Sequence, residues 1–135
     1  MKKILVVDDT KSILKMVKFV LGETYDVYLS NSGSLALDIL KCKPIDIVLM
    51  DVDMPDMDGI ETVQKIRQME NIKDIPVMFF TAMSSKEMVE KCLEVGMVGY
   101  IVKPYKPDEL LARLEKFFAT SKYVAPENGN GGSEK

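Results

Sequence analysis

The sequence predicts an α/β fold in which a parallel sheet is covered by helices on both faces. Three observations predict it: five short apolar runs alternate with five amphipathic helical patterns, the connections are short, and the central run has no polar alternation. That run, residues 47–50 with the sequence IVLM, is typical of a strand buried on both faces. The 135 residues fit one domain. We therefore expect a three-layer α/β/α sandwich.

The first half of the chain is predicted to form three strands and two helices. The first strand, Lys3 to Val7, is apolar, whereas the second, residues 25–30, alternates apolar and polar side chains and is expected at a sheet edge. The first helix stops at Gly22 and the second before Pro44. The predicted core positions are Ile13, Val17, Val20 and Leu21 in the first helix and Leu35, Ala36, Ile39 and Leu40 in the second.

The second half is predicted to add two strands, residues 77–80 and 100–102, and three helices. One helix follows Gly59, and the last spans residues 108–119. The helix between the two strands takes Ser84 or Ser85 as its N-cap, and Glu87 lies three residues after Ser84, as a capping box requires. The predicted core positions are Ile60, Val63, Ile66 and Met69, then Met88, Val89, Cys92 and Leu93, and finally Leu110, Leu111, Leu114, Phe117 and Phe118.

Composition excludes several classes of function. The chain has no histidine, which rules out Ser-His-Asp and Cys-His catalysis and the usual histidine-containing zinc sites. A net charge of −3 and a pI near 5.1 lack the excess of positive charge that favours direct binding to nucleic acid or to an anionic membrane. The two cysteines, Cys42 and Cys92, are expected to be reduced thiols. With neither a signal peptide nor a membrane-length apolar run, a cytoplasmic protein is expected.

The end of the chain differs in composition from the rest. Residues 125–135, APENGNGGSEK, are rich in glycine, asparagine and glutamate and cannot support packing. We therefore predict a domain over residues 1–121 and a flexible C-terminal tail or linker remnant over residues 122–135.

Polar side chains follow four of the predicted strands. In a parallel sheet, Asp8, Asp9, Asp51, Thr81 and Lys103 would all emerge at one edge. Two carboxylates about 4 Å apart repel by roughly 4 kcal/mol at an effective dielectric of ~20, so this set needs a cation or a proton. Mg²⁺ prefers such oxygen ligands, and Lys103 and Thr81 suit phosphate oxygens. Asp51 is then the natural nucleophile, forming an acyl phosphate.

Together with their neighbours, these residues resemble the receiver domain of bacterial two-component response regulators. The motifs that carry the resemblance are Asp8-Asp9, Asp51 with Met54-Pro55 and Asp58-Gly59, Thr81-Ala82, and Lys103-Pro104. It covers about Lys2 to Thr120 and implies a flavodoxin-like sheet of order 2-1-3-4-5. It also implies a cis Lys103–Pro104 bond, although most such bonds in folded proteins are trans.

The resemblance implies a role for each site residue. Asp51 accepts a phosphoryl group from the phosphohistidine of a sensor histidine kinase or phosphotransfer protein. Mg²⁺, or Mn²⁺, is bound by Asp9 and Asp51, by Asp8 mainly through water, and by the backbone carbonyl of Asp53. Lys103 and Thr81 contact the phosphoryl oxygens. Thr81 and Tyr100 then signal along the face of helix four, strand five and helix five to a downstream protein target. The implied protein is a signalling switch that catalyses only its own phosphotransfer and dephosphorylation.

Two other functions are compatible with parts of the pattern. Asp51-Val52-Asp53 after an apolar strand resembles the nucleophile motif of haloacid dehalogenase phosphohydrolases, but two strands precede it here and no second acid pair follows Lys103. A binding module that keeps the fold without phosphorylation is the second alternative. An EF-hand is excluded, because Met54 and Lys65 would stand where acidic ligands are needed.

Overall fold

The computed structural model describes residues 1–82 and 85–120, so the predicted tail lies outside the described residues. A single five-stranded parallel sheet forms the centre, in the order β2-β1-β3-β4-β5. Its strands are β1 Lys3–Val7, β2 Asp26–Ser30, β3 Ile47–Asp51, β4 Val77–Thr81 and β5 Gly99–Val102. The predicted fold class and strand order are confirmed.

Five helices within the described ranges connect the strands and cover the sheet. They are α1 Lys11–Leu21, α2 Gly33–Cys42, α3 Gly59–Ile66, α4 Lys86–Val95 and α5 Pro107–Thr120. Leucines and valines of α1 and α5 pack on one face of the sheet, and α2, α3 and α4 pack on the other. β3 and β4 are buried along their whole length, because both lie between these two helical layers.

The register of the strands aligns their carboxyl ends. Val7 lies opposite Ser30 and Met50, and Thr81 lies opposite Val102. β2 is an edge strand and only part of it is buried, as predicted. The residues that follow β1, β3, β4 and β5 therefore meet at one edge.

Three predictions about the helices are wrong. Leu35 and Leu93 are 42% and 58% exposed, because α2 buries Gly33, Ala36 and Leu40 and α4 turns Cys92 inward. Helix α3 ends at Ile66, so Met69 lies in the following turn. The N-cap of α4 is Ser85, one of the two predicted caps, and its side chain accepts a hydrogen bond from the Met88 amide at 3.2 Å. Ser84, and with it the predicted Ser84–Glu87 capping box, lies outside the described residues. In the described part of the chain, none of the helices has the length and apolar character needed to cross a membrane.

Candidate functional site

Asp51 is the last residue of β3, and its side chain is almost completely buried at 2% exposure. The carboxylates of Asp8 and Asp9, just beyond β1, approach it, and one oxygen from each of the three lies within 4.8 Å of the others. Asp8 is also fully buried and accepts a hydrogen bond from the Thr10 amide at 2.8 Å, whereas Asp9 is exposed. The structure thus brings together the three acidic residues that the sequence placed at this edge.

Lys103 follows β5 and joins the two buried acids. Its Nζ lies 3.2 Å from Asp8 Oδ2 and 3.2 Å from Asp51 Oδ1. The same ammonium is 5.4 Å from the centroid of the Phe80 ring, so an aromatic face lies beside the charge. The Lys103–Pro104 bond is cis, as the resemblance implied.

The electrostatics of the group are dominated by burial. The pKa of Asp51 is raised to about 6. Burial is the largest cause of the rise and the Asp8 carboxylate adds to it, whereas Lys103 and a backbone hydrogen bond from Asp53 oppose it. Burial also lowers the pKa of Lys103, but Asp51 and Asp8 more than offset this and the net shift is upward. Lys103 is therefore held as a cation between two carboxylates.

Thr81 occupies a different part of the site. It is the last residue of β4, is fully buried, and its hydroxyl donates a hydrogen bond of 3.2 Å to Asp53 Oδ2. Asp53 itself lies in the exposed loop after β3. The sequence placed Thr81 at this edge, but it provided no signal for its contact with the Asp53 side chain.

Tyr100, on β5, is half-buried. Burial raises its pKa, and Cys92 and Asp53 raise it further. The charge of Asp53 therefore acts on Tyr100 as well as on its hydrogen-bond partner Thr81.

The acidic loop after Asp51 turns sharply into α3. Asp56 adopts a positive φ of 68°, and the Gly59 amide donates to the Val52 carbonyl at 2.9 Å. A Cβ at Gly59 would collide with the carbonyl oxygen of Asp51, so this position requires glycine. Asp58 caps α3 in a reciprocal capping box with Glu61. The loop thus shapes the turn and starts the helix.

Tyr105 is a site neighbour that sequence reasoning missed. Its hydroxyl is buried and has no hydrogen-bond partner among the described residues, and its ring packs edge-on against Phe80 with centroids 5.7 Å apart. Burial raises its pKa to about 12, and the nearby charges of Asp8 and Asp51 contribute. Its position two residues after Lys103, at the same sheet edge, was a signal that could have identified it.

The donor set fits a hard divalent cation. Three carboxylates and one ammonium leave the group with an excess of negative charge, and carboxylate oxygens are the ligands that Mg²⁺ prefers. After burial, the Asp8 carboxylate is the next cause of the raised pKa of Asp51, and a cation bound nearby would favour the ionised form.

The sequence and the fold match those of known proteins. Residues 4–115 match the family model of the response regulator receiver domain. The chain is 40% identical over 125 residues to the transcriptional regulatory protein ZraR of Escherichia coli; this match covers 92% of the chain but only 28% of ZraR. It is 36% identical over 118 residues to the chemotaxis protein CheY-3 of Vibrio cholerae, covering 86% of the chain and 91% of CheY-3.

A solved structure shows the same fold. The structure of the chemotaxis protein CheY4 of Vibrio cholerae aligns with a TM-score of 0.82 and 35% identity, over 86% of this chain and 98% of CheY4. The match to the receiver family model therefore agrees with the strand order and with the acidic edge described above. This chain belongs to the response regulator receiver domain family.

Proposed function

We propose that this domain is a phosphorylation-controlled switch in which Asp51 accepts a phosphoryl group. The observation that carries the proposal is the placement of the Asp51 carboxylate, buried, 3.2 Å from Lys103 Nζ and beside Asp8 and Asp9. A pKa of about 6 leaves Asp51 mostly ionised, and hence nucleophilic, at pH 7 and above.

The proposed transfer is a displacement at phosphorus. An oxygen of Asp51 attacks the phosphorus of a phosphohistidine, an O–P bond forms while the P–N bond breaks, and the electron pair of the broken bond stays on the donor's imidazole nitrogen. Lys103 provides positive charge for the phosphoryl oxygens, and the Thr81 hydroxyl donates a hydrogen bond to one of them. Hydrolysis of the acyl phosphate by water returns Asp51 and releases inorganic phosphate.

The acidic residues would hold the metal. Asp8, Asp9 and Asp51 would contribute carboxylates to Mg²⁺ or Mn²⁺, and Asp53 would contribute its backbone carbonyl. When bound, the ion neutralises charge on the transferring group. The convergence of the three carboxylates, with ligand oxygens within 4.8 Å of one another, supports this assignment.

The output would be transmitted along α4, β5 and α5. We propose that Thr81 and Tyr100 rearrange when Asp51 is phosphorylated and alter this face for a downstream protein partner. Leu93 on α4 and Val102 on β5 are exposed apolar side chains on these elements, which suits a protein partner. Changing a two-state equilibrium from 1:99 to 99:1 needs about 5.5 kcal/mol, within reach of a few charge-assisted hydrogen bonds.

The phosphoryl donor would be a phosphohistidine that lies outside these 135 residues. Because the chain has no histidine, it cannot form the phosphohistidine itself, so a sensor histidine kinase or a phosphotransfer protein would donate the group. A cytoplasmic location, without membrane insertion or direct contact with nucleic acid, accords with the net charge of −3 and with these partners. The receiver domain would span residues 1–121.

Replacement of the acceptor tests the proposal. With radiolabelled acetyl phosphate and Mg²⁺, the wild-type protein should incorporate label in an acyl phosphate, and Asp51→Asn should incorporate at least ~100-fold less because the amide is not nucleophilic. Asp56→Asn is the matched control, since it removes one charge from the exposed part of the same loop and should label normally. Undiminished labelling of Asp51→Asn would overturn the assignment.

The alternatives make different predictions in the same assay. A non-phosphorylated binding module would take up no label in the wild-type protein. A haloacid dehalogenase-type hydrolase would turn over phosphate esters continuously, and the match to the receiver family over residues 4–115 does not favour it.

The lifetime of the acyl phosphate is proposed to depend on two further positions, Asp53 and Met83, two residues after Asp51 and Thr81 respectively. Asp53→Asn and Met83→Ala should each change the rate at which the label decays. An unchanged decay rate in both variants would contradict this assignment.

A further inference from the structure

The hydroxyl of Thr81 is already engaged in the resting protein. It donates to Asp53 Oδ2 at 3.2 Å, across 28 residues of sequence. Thr81 is fully buried at the end of β4, whereas Asp53 is in the exposed loop that follows β3. The contact therefore links a buried hydroxyl to a side chain that can turn towards solvent.

A threonine hydroxyl has one proton to donate. If Thr81 is to donate to a phosphoryl oxygen on Asp51, it must first release Asp53. The 3.2 Å distance is long for an O–H···O bond, so the contact is a weak one that another acceptor can displace. The incoming group carries negative charge and would also repel the Asp53 carboxylate.

Unlike Thr81, Lys103 can bind a phosphoryl oxygen without giving up its present partners. Its ammonium already lies 3.2 Å from Asp51 Oδ1, and its three protons allow it to bind a further oxygen while it keeps its contact with Asp8. The lysine is therefore in place before phosphorylation, and the rearrangement falls on the Thr81 side of the site.

We propose that the Asp53 carboxylate is a positioning group that holds the Thr81 hydroxyl in the resting state and competes with the phosphoryl group for it. This inference rests on the proposed phosphoacceptor function and adds a specific restraint to it. The restraint biases the domain towards its inactive arrangement, and its loss makes the activating anion bind more tightly.

Two effects of Asp53 need to be separated. Its charge repels any anion at Asp51, with or without Thr81, whereas its hydrogen bond competes only when the Thr81 hydroxyl is present. Asp53→Ala removes both the charge and the acceptor, and Asp53→Asn removes the charge but keeps an acceptor oxygen. Thr81→Val keeps the shape of the buried side chain and removes its hydroxyl. A double-mutant cycle over these positions isolates the hydrogen bond.

The experiment measures the apparent dissociation constant of beryllofluoride, a phosphoryl mimic, at a fixed saturating Mg²⁺ concentration by NMR titration of the full chain. Asp53→Ala should bind beryllofluoride roughly three- to tenfold more tightly through loss of the competing bond. In the Thr81→Val background, the part of this tighter binding that comes from loss of the hydrogen bond should disappear. The dissociation constant of Asp53→Asn should lie between those of wild type and Asp53→Ala. Asp56→Asn removes a charge from the same loop and should change the constant less than about twofold.

The outcomes distinguish this inference from the function on which it rests. Two results would overturn the inference and leave the phosphoacceptor function standing. In the first, beryllofluoride binding requires Asp51 but has the same dissociation constant in Asp53→Ala as in wild type. In the second, Asp53→Ala tightens binding by the same factor with and without the Thr81 hydroxyl. Absence of any Asp51-dependent binding to the wild-type protein would overturn both.

A second measurement does not depend on the anion. In the metal-free protein, Asp53→Ala should shift the Thr81 side-chain NMR signals and its χ1-dependent couplings, Asp53→Asn should shift them less, and Asp56→Asn should leave them unchanged. Wild-type values in Asp53→Ala would overturn the inference even if Thr81→Val does not fold.

Discussion

Two cations organise opposite edges of the sheet, and they do so differently. At the edge where β4 begins, the guanidinium of Arg67 donates hydrogen bonds of 2.7 to 2.9 Å to four backbone carbonyls. These carbonyls belong to Lys73, Ile75, Val95 and Gly96. Arg67 thereby ties the C-terminal end of α3 to the turn before β4 and to the C-terminal end of α4.

At the other edge, the Lys103 ammonium meets two carboxylates, each at 3.2 Å. The planar fork of an arginine suits several fixed acceptors at once, whereas a lysine is a point charge whose partners can be exchanged. The four carbonyl acceptors of the arginine carry no net charge. At the lysine edge, the Asp8 carboxylate adds to the effect of burial in raising the pKa of Asp51, so a repulsion between two carboxylates remains.

A receiver domain can therefore be rigid at one edge and able to rearrange at the other. At the Lys103 edge the carboxylates of Asp8 and Asp51 lie close together, and a bound divalent cation would reduce their repulsion. Variants at the Arg67 edge should therefore affect stability, and variants at the Lys103 edge should couple stability to pH, metal and anion.

Arg67→Ala should have the largest effect, a loss of about 3 kcal/mol in the free energy of unfolding, because four carbonyls lose a charged donor. Urea denaturation in EDTA measures it. Arg67→Lys should recover only part of the loss, and Arg113→Ala, which removes a single 3.2 Å contact to the Tyr100 carbonyl, should lose about 1 kcal/mol or less. If Arg67→Ala lost no more than Arg113→Ala, the proposed rigid edge would be contradicted.

Asp51→Asn should stabilise the metal-free protein by up to about 3 kcal/mol at pH 8, from a pKa shift of about two units. Because the folded pKa is raised from 3.8 to about 6, the folded state holds its proton more tightly, and this contribution is lost as the pH rises through about 6. Wild-type stability in EDTA should therefore decline between about pH 4 and pH 7.

The matched comparison is the same pH series on Asp51→Asn, in which this decline should be absent. Saturating Mg²⁺ should remove most of the difference between the two proteins near pH 8. Equal pH slopes for wild type and Asp51→Asn in EDTA would show that the charge conflict does not reside at Asp51.

Lys103→Met should lower the free energy of unfolding by about 2 kcal/mol in EDTA at pH 8, because Asp8 and Asp51 would then face each other without a cation. In the Asp51→Asn background, where one of the two charges is gone, the loss should be smaller. The double-mutant cycle measures this coupling, and strictly additive effects would show that the lysine does not bridge the two acids.

Thr81→Val should have the smallest effect on stability, within about 1 kcal/mol, since the replacement fills the same space and leaves Asp53 free to turn to water. Thr81→Ser, which keeps the hydroxyl, is the control for the loss of the methyl group. A loss as large as that of Lys103→Met would mean that the hydroxyl is a structural anchor rather than an exchangeable contact.

Local patterns predicted most of the fold. The uninterrupted apolar run of residues 47–50 identified a strand buried on both faces, and the alternation in residues 25–30 identified an edge strand. Helix faces were less predictable. Leu35 and Leu93 fit a helical period but point to solvent, because the close approach of α2 to Thr62 at Gly33 and the inward position of Cys92 decide which face is buried.

The sequence alone specified which chemical groups reach the edge of the sheet: acids after β1 and β3, a hydroxyl after β4 and an ammonium after β5. It could do so because strand ends follow from local periodicity and parallel strands end together. Only the tertiary structure decided which atoms meet. Lys103 and Asp8 are 95 residues apart and Arg67 and Val95 are 28 apart, so these contacts exist only once the sheet is assembled. The pairing of Thr81 with Asp53 and the buried hydroxyl of Tyr105 depend in the same way on packing that no local pattern encodes.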